Sequence, residues 1–189
     1  MDILLTSTLV VALAEIGDKT QLLAMLLAYR FQRPWPIAAG ILAATLANHG
    51  LAALAGAELA GWLDGPWFRY LVGGGFLAMA AWTLVPDRLD DDQRTASRHG
   101  AFLTTLVAFF LVEIGDKTQV ATIALAARFH SVLWVTAGTT IGMMLANAPA
   151  LFLGNRLLRV LPVKTLRYGA ALLFALLGLW ILAEAGGLV

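Results

Sequence analysis

Hydrophobic positions gather into six long runs separated by short clusters of charged, proline and glycine residues: Ile3–Tyr29, Trp35–Trp62, Pro66–Val85, Ala101–Ala127, Val132–Leu157 and Pro162–Ala185. An apolar run of about 20 residues is enough to cross a bilayer as a helix. Each run is therefore expected to be a transmembrane helix. The first, second, fourth and fifth are longer than crossing requires, which predicts tilting, kinking or local unwinding. Between them, Arg30 to Pro36 forms one connector, Leu63 to Gly65 a tight turn, and Pro86 to Gly100 a hydrophilic loop with Asp87, Arg88, Asp90, Asp91, Asp92, Arg94 and Arg98. The three adjacent aspartates of that loop read as a solvated face.

The pattern repeats at an offset of 98 residues. Glu15-Ile16-Gly17-Asp18-Lys19-Thr20-Gln21 returns letter for letter as Glu113-Ile114-Gly115-Asp116-Lys117-Thr118-Gln119, and eleven of the seventeen positions from Glu15 to Phe31 recur between Glu113 and Phe129. Gly40 matches Gly138, and Leu46-Ala47-Asn48 matches Leu145-Ala146-Asn147 after a one-residue slip. Arg69, Tyr70, Phe76, Trp82 and Leu84 recur as Arg167, Tyr168, Phe174, Trp180 and Leu182. Each half carries three spans, an odd number, so the second must enter the membrane in the opposite sense. The expected fold is an all-α polytopic membrane protein of six transmembrane helices, arranged as two inverted three-helix repeats. The division is 1–86 for the first repeat, 87–100 for a cytoplasmic linker and 101–189 for the second, inverted repeat.

Basic residues orient it. Arg30, Arg33, Arg88, Arg94, Arg98, Arg156, Arg159, Lys164 and Arg167 fall on one side, and only Arg69 and Arg128 on the other. The excess of Lys and Arg marks the cytoplasmic face. The central loop is thus expected in the cytoplasm and both termini outside. Most tryptophans (Trp35, Trp62, Trp67, Trp82, Trp134 and Trp180) lie near span ends, as interfacial anchors do.

Composition narrows the chemistry. Of 189 residues, 60% are hydrophobic and 13% charged, against about a quarter charged in soluble domains. A net charge of +1 without a basic run gives no support to nucleic-acid binding, and the absence of cysteine excludes disulfides and thiolate metal sites. The first apolar run is too long for a signal peptide and contains the motif.

Charged side chains in the middle of a span cost several kcal/mol and mark function by default. A Glu–Lys pair four residues apart could simply join helices, but such a pair needs no identical seven-residue copy. On a continuous helix, Glu15, Asp18 and Lys19 share one face, with Gln21 beside Asp18 and Thr20 pointing away into helix packing. A two-fold axis in the membrane plane pools Glu15, Asp18, Glu113 and Asp116 as the cation-binding and proton-coupling residues. Lys19, Lys117, Gln21, Gln119, Asn48 and Asn147 support them. Oxygen donors of this kind suit hard cations such as Mn²⁺, Ca²⁺ and Mg²⁺. Four carboxylates and two ammonium groups sum to −2, which one divalent cation or two protons would neutralise. Two readings stand equal at Asn48 and Asn147: Gly50 and Pro149, just after them, free backbone carbonyls as further ligands, or the asparagines themselves hydrogen-bond between helices. His49 has Ala148 as its counterpart and reads as a satisfied interior histidine in preference to a ligand or proton relay. Glu58 and Glu184 lie near span ends and read as interfacial.

Two copies of E-x-G-D-[KR]-[ST], one in each half, with an acidic loop between them, resemble the GDT family of cation–proton exchangers over the whole chain. That resemblance implies export of Mn²⁺, or alternatively Ca²⁺, from the cytoplasm against protons, with Glu15, Asp18, Glu113 and Asp116 at the matching acidic positions. It implies no cofactor beyond the transported cation. The partners are the lipid bilayer, the cation and protons. The chain lacks the longer amino-terminal extension of the eukaryotic members, which points to a bacterial inner membrane. An intramembrane enzyme is the competing reading, since paired carboxylates can do acid–base chemistry. Against it, none of Ser7, Ser97 and Ser131 adjoins a motif. A passive channel is the third reading.

Overall fold

The computed structural model describes residues 2–62, 66–85, 100–153 and 163–188. The tight turn at 63–65, nearly all of the hydrophilic loop (86–99), and Arg156 and Arg159 lie outside the described residues. Among those described, every regular element is a helix: α1 Ile3–Glu15, α2 Lys19–Phe31, α3 Pro34–Trp62, α4 Pro66–Thr83, α5 Ala101–Glu113, α6 Lys117–Phe129, α7 Val132–Leu153 and α8 Val163–Ala185.

The first and fourth apolar runs are each two helices. Of the tilting, kinking or unwinding expected of over-long runs, unwinding occurs here, at the motif, so Glu15 ends α1 and Lys19 begins α2, while Glu113 ends α5 and Lys117 begins α6. Glycine makes the break possible. Gly17 has φ +82° and Gly115 φ +76°, a conformation that L side chains with a Cβ rarely adopt. Each of these four helices has 13 residues and is about 20 Å long, short of a hydrocarbon core of about 30 Å. Pro34–Gly61, Val132–Leu153 and Tyr168–Ala185 are long and apolar enough to cross a membrane individually.

Helix ends follow local chemistry. Asp2 caps α1 by accepting from the Leu5 amide at 3.0 Å. Gln32 and His130, equivalent at the 98-residue offset, take left-handed conformations after α2 and α6 and donate their amides to the carbonyls of Ala28 and Ala126.

Packing is crosswise. α1 lies on α7, α5 on α3, and α4 on α8. Gly138 lets α1 approach so closely that a Cβ there would stand 2.7 Å from the Leu4 carbonyl oxygen and 2.7 Å from Ser7 Cβ. Gly40 does the same for α5, with the Phe102 carbonyl oxygen and Thr105 Cβ both at 2.8 Å. Phe102 and Thr105 are the offset equivalents of Leu4 and Ser7. Small residues at such crossings replace a hydrophobic driving force with close backbone contact.

These contacts sort the termini into two ends. The starts of α1 and α7 meet at Gly138, the start of α4 meets the end of α8 through Tyr70 Oη donating to the Ala185 carbonyl, and the ends of α6 and α8 meet through Arg128 and Glu184. At the opposite end, Trp35 at the start of α3 stacks edge-on against Phe152 at the end of α7, and the start of α5 lies against Gly40. Glu184, expected to be interfacial, pairs with Arg128 at this end.

The buried core is built from Val10, Phe76, Leu125, Val135, Phe174 and neighbours on one side, and from Leu23, Ile37, Ile41, Phe109 and Val112 on the other. Leucines such as Leu5, Leu9, Leu51, Leu54, Leu172, Leu176 and Leu179 cover the outside. An apolar exterior of this kind, with three spanning-length helices, is that of an integral membrane protein.

Candidate functional site

The two breaks bring the motifs together in the interior. In each, the aspartate amide bonds back to the glutamate carbonyl, Asp18 to Glu15 at 3.0 Å and Asp116 to Glu113 at 3.2 Å. The glutamine four residues past the glycine closes the loop: Gln21 Oε1 accepts from the Gly17 amide at 2.9 Å, and Gln119 Oε1 from the Gly115 amide at 2.7 Å. The break therefore places one acid at the C-terminal end of a half-helix and the other at the N-terminal end of the next. Asp18 and Asp116 gain from the positive end of the helix dipole. Glu15 and Glu113 lie at the negative end, together with helix-terminal carbonyl groups, where a cation is favoured.

The lysines form ion pairs between the motifs. Lys117 pairs with Asp18, with the two side chains 4% and 0% exposed, and Lys19 pairs with Asp116 at 3.1 Å. The continuous-helix expectation, in which Glu15 faces Lys19, fails because Gly17 turns the chain between them. Carboxylate oxygens of Glu15, Glu113 and Asp116 all lie within 4.8 Å of one another, and all three residues are buried. Asp18 stands beside this group through its tie to Lys117. Neither glutamate pairs with a basic side chain among the described residues.

Neutral polar groups complete the surroundings. Thr118 Oγ1 donates to Glu113 Oε2 at 2.9 Å and lies 3.4 Å from Asp116 Oδ2. Asn147 Nδ2 donates to Glu15 Oε1 at 3.4 Å and to the Met143 carbonyl at 3.2 Å. Asn48 Nδ2 donates to the Phe110 carbonyl at 3.3 Å, and its Oδ1 accepts from Gln119 Nε2 at 2.6 Å. Gln21 Nε2 donates to the Ala146 carbonyl at 2.8 Å. Both glutamine side chains are thus engaged in holding the breaks in place, not in facing the acids.

Thr118, which the sequence reading missed, belongs to the acid cluster, since it touches both of its motif's carboxylates; its presence beside the acids in both copies was the available signal. Thr20, expected to point away, bonds no acid among the described residues. Of the two readings at Asn48 and Asn147, hydrogen bonding between helices holds. The helices do not open at Gly50 or Pro149, because α3 runs through the first and α7 through the second. Pro149 lacks an amide, so the carbonyl of Leu145 loses its usual partner; Leu145 is on the outer surface, 58% exposed. His49 is fully buried, but neither ring nitrogen has a hydrogen-bond partner among the described residues, so it is not the satisfied interior histidine expected. It also lies outside the group of metal-spaced acids.

The family model for the divalent cation/proton antiporter GDT1 matches residues 3–91 and again 101–187. A Vibrio cholerae protein named "Putative manganese exporter" is 47% identical over 180 residues, covering 95% of this chain and 90% of that one. A GDT1-like protein of Synechocystis is 28% identical over 190 residues, covering 89% of this chain and 90% of that one. No solved structure matches. Two family matches, each spanning one motif and its following helices, leave no room for the enzyme reading: this chain is a transporter and belongs to the divalent cation/proton antiporter GDT1 family.

Proposed function

We propose that this protein exports Mn²⁺ from the cytoplasm in exchange for protons, using Glu15 and Glu113 as the groups that carry either one cation or protons. One observation carries the reading. The two aspartates are each neutralised by the lysine of the opposite motif, while the two glutamates, buried and close to each other, have no basic partner among the described residues. The two uncompensated negative charges of the whole-motif count therefore fall on the glutamates. Isolated charge in a low-dielectric interior is expensive. One divalent cation removes the expense, and so do two protons, but not both at once. A site of that kind exchanges.

Glu15, Glu113 and Asp116 are the proposed metal ligands. Asp18 sets the second lysine, Asn147 and Thr118 orient the glutamates, and Gln21 and Gln119 hold the breaks. All these donors are oxygen or amide, matching a hard cation. The ligands are few, which favours an ion that completes its shell with water over Ca²⁺, which takes about six to eight oxygen ligands. The name of the Vibrio cholerae relative points the same way. Ca²⁺/H⁺ exchange is the alternative.

The architecture proposed for this cycle is a pair of inverted repeats, 1–86 and 101–189, with a cytoplasmic linker at 87–100. In it α1 with α2, and α5 with α6, each serve as one broken span. The crosswise contacts at Gly40 and Gly138, and the crosswise lysine–aspartate pairs, support it. The termini fall at one end of the bundle and the starts of α3 and α5 at the other. With the basic excess at the latter end, the termini face outside an inner membrane.

Uptake into proteoliposomes tests the assignment, with Mn²⁺, Ca²⁺, Mg²⁺ and Zn²⁺ offered in turn, with and without a proton gradient. Gradient-dependent, saturable Mn²⁺ flux supports it. Equal flux of all four without a gradient would leave a channel as the better account.

A further inference from the structure

The two halves are equivalent in sequence but not in bonding, and the differences interlock. Thr118 donates to Glu113, whereas its counterpart Thr20 has no side-chain partner among the described residues and neither does Glu15 Oε2. Gln119 donates to Asn48 Oδ1, whereas Gln21 bonds one residue short, at the Ala146 carbonyl, leaving Asn147 Oδ1 without a partner. Asn147 in turn donates to Glu15, whereas Asn48 donates to the Phe110 carbonyl and Glu113 Oε1 has no partner. Thr20, Glu15, Asn147 and Glu113 are all buried. Their four unpartnered oxygens are those that would be satisfied if each half took up the other's arrangement.

We propose that each site glutamate passes between the threonine of its own motif and the asparagine of the opposite half, Asn147 for Glu15 and Asn48 for Glu113, with the two glutamates always held oppositely. Asn48 and Asn147 are then positioning residues that select between two related conformers. The proposal rests on the shared-site reading above. In this structure Glu15 is held by Asn147 and Glu113 by Thr118. In the other conformer Thr20 takes Glu15, Asn48 Nδ2 leaves the Phe110 carbonyl for Glu113, Gln119 leaves Asn48 Oδ1 for a backbone carbonyl of α3, and Gln21 moves one residue along α7 to Asn147 Oδ1. Every bond made has an equivalent bond broken. The two conformers are therefore close in energy, as a reversible cycle needs. Exposure differs with them: Ile114 is 55% exposed, whereas its counterpart Ile16 is less so.

The test separates the two faces of the membrane. The full chain is reconstituted in vesicles of a single orientation, and the KM for Mn²⁺ is measured from each side. Thr118→Val, close in shape, removes a contact with Glu113 made only in this conformer, so KM rises about tenfold on one face, equivalent to about 1.4 kcal/mol, and less than twofold on the other. Thr20→Val removes one made only in the other conformer and so acts on the opposite face. Asn48→Ala and Asn147→Ala each remove a bond in both conformers and raise KM on both faces. Equal changes on both faces for the threonine variants, or the same face for Thr118→Val and Thr20→Val, overturn the proposal. Glu15→Gln separates the two readings: retained flux there sinks the shared site itself, whereas lost flux with face-independent threonine effects sinks only the alternation.

Discussion

Lys117 and Asp18 lie 99 residues apart and form an ion pair that is almost fully buried, joining the second motif to the first. Removing one member of such a pair strands the other charge, which costs about 3–5 kcal/mol. Lys117→Met is expected to lower the unfolding midpoint in detergent markedly. Lys19→Met should cost less, because Lys19 is 20% exposed and its partner Asp116 can be reached more readily by water. The exchange Asp18→Lys with Lys117→Asp should recover part of the loss. Equal sensitivity at Lys19 and Lys117, with no recovery in the exchange, would mean that the pairs do not hold the halves together.

Glu15→Gln and Glu113→Gln keep shape while removing a charge. Each is expected to abolish Mn²⁺ flux while leaving a folded, monodisperse protein, since each half supplies one of the two buried glutamates of the site. Flux in either variant near that of the parent would return the motif to a structural role.

Competition between cation and protons for the same carboxylates fixes the sign of the pH effect. Protons bound at Glu15 or Glu113 must leave before the cation binds, so apparent Mn²⁺ affinity falls as pH falls. Binding measured on purified protein across a pH series checks this. Affinity that stays constant, or strengthens in acid, would place the proton elsewhere.

Orientation is open to a direct chemical test because the chain has no cysteine. A single cysteine at position 95 is expected to react with a membrane-impermeant reagent only from the cytoplasmic side. Labelling from outside alone would invert the topology.

The motif, its duplication and its acids were legible in the sequence, because helix packing alone does not require an exact repeat of charged residues inside apolar runs. The excess length of those runs indicated tilting, kinking or local unwinding without deciding among them. Where Gly17 and Gly115 send the chain was not legible. Treating the motif as a continuous helix put Glu15 beside Lys19, whereas a left-handed glycine between them sends the lysine across to the other motif's aspartate. That one turn also brings Thr118 onto Glu113 and commits Gln21 and Gln119 to the breaks. Pro149 misled for a different reason: an apolar helix tolerates proline when neighbouring packing holds it, so α7 continues through. The lack of partners at His49 among the described residues had no sequence signal, since partners are set by packing among α3 and its neighbours.

The central claim is obligatory exchange at the glutamate pair, and inverted membrane vesicles with an acidic interior test it most directly. An external pH dye and a Mn²⁺ reporter are read together as the gradient is imposed and then collapsed with the Mn²⁺ gradient held fixed. The account predicts Mn²⁺ entry matched by proton exit, both stopping on collapse and both absent in Glu15→Gln. Mn²⁺ entry without proton exit, or entry unchanged after collapse, would contradict it.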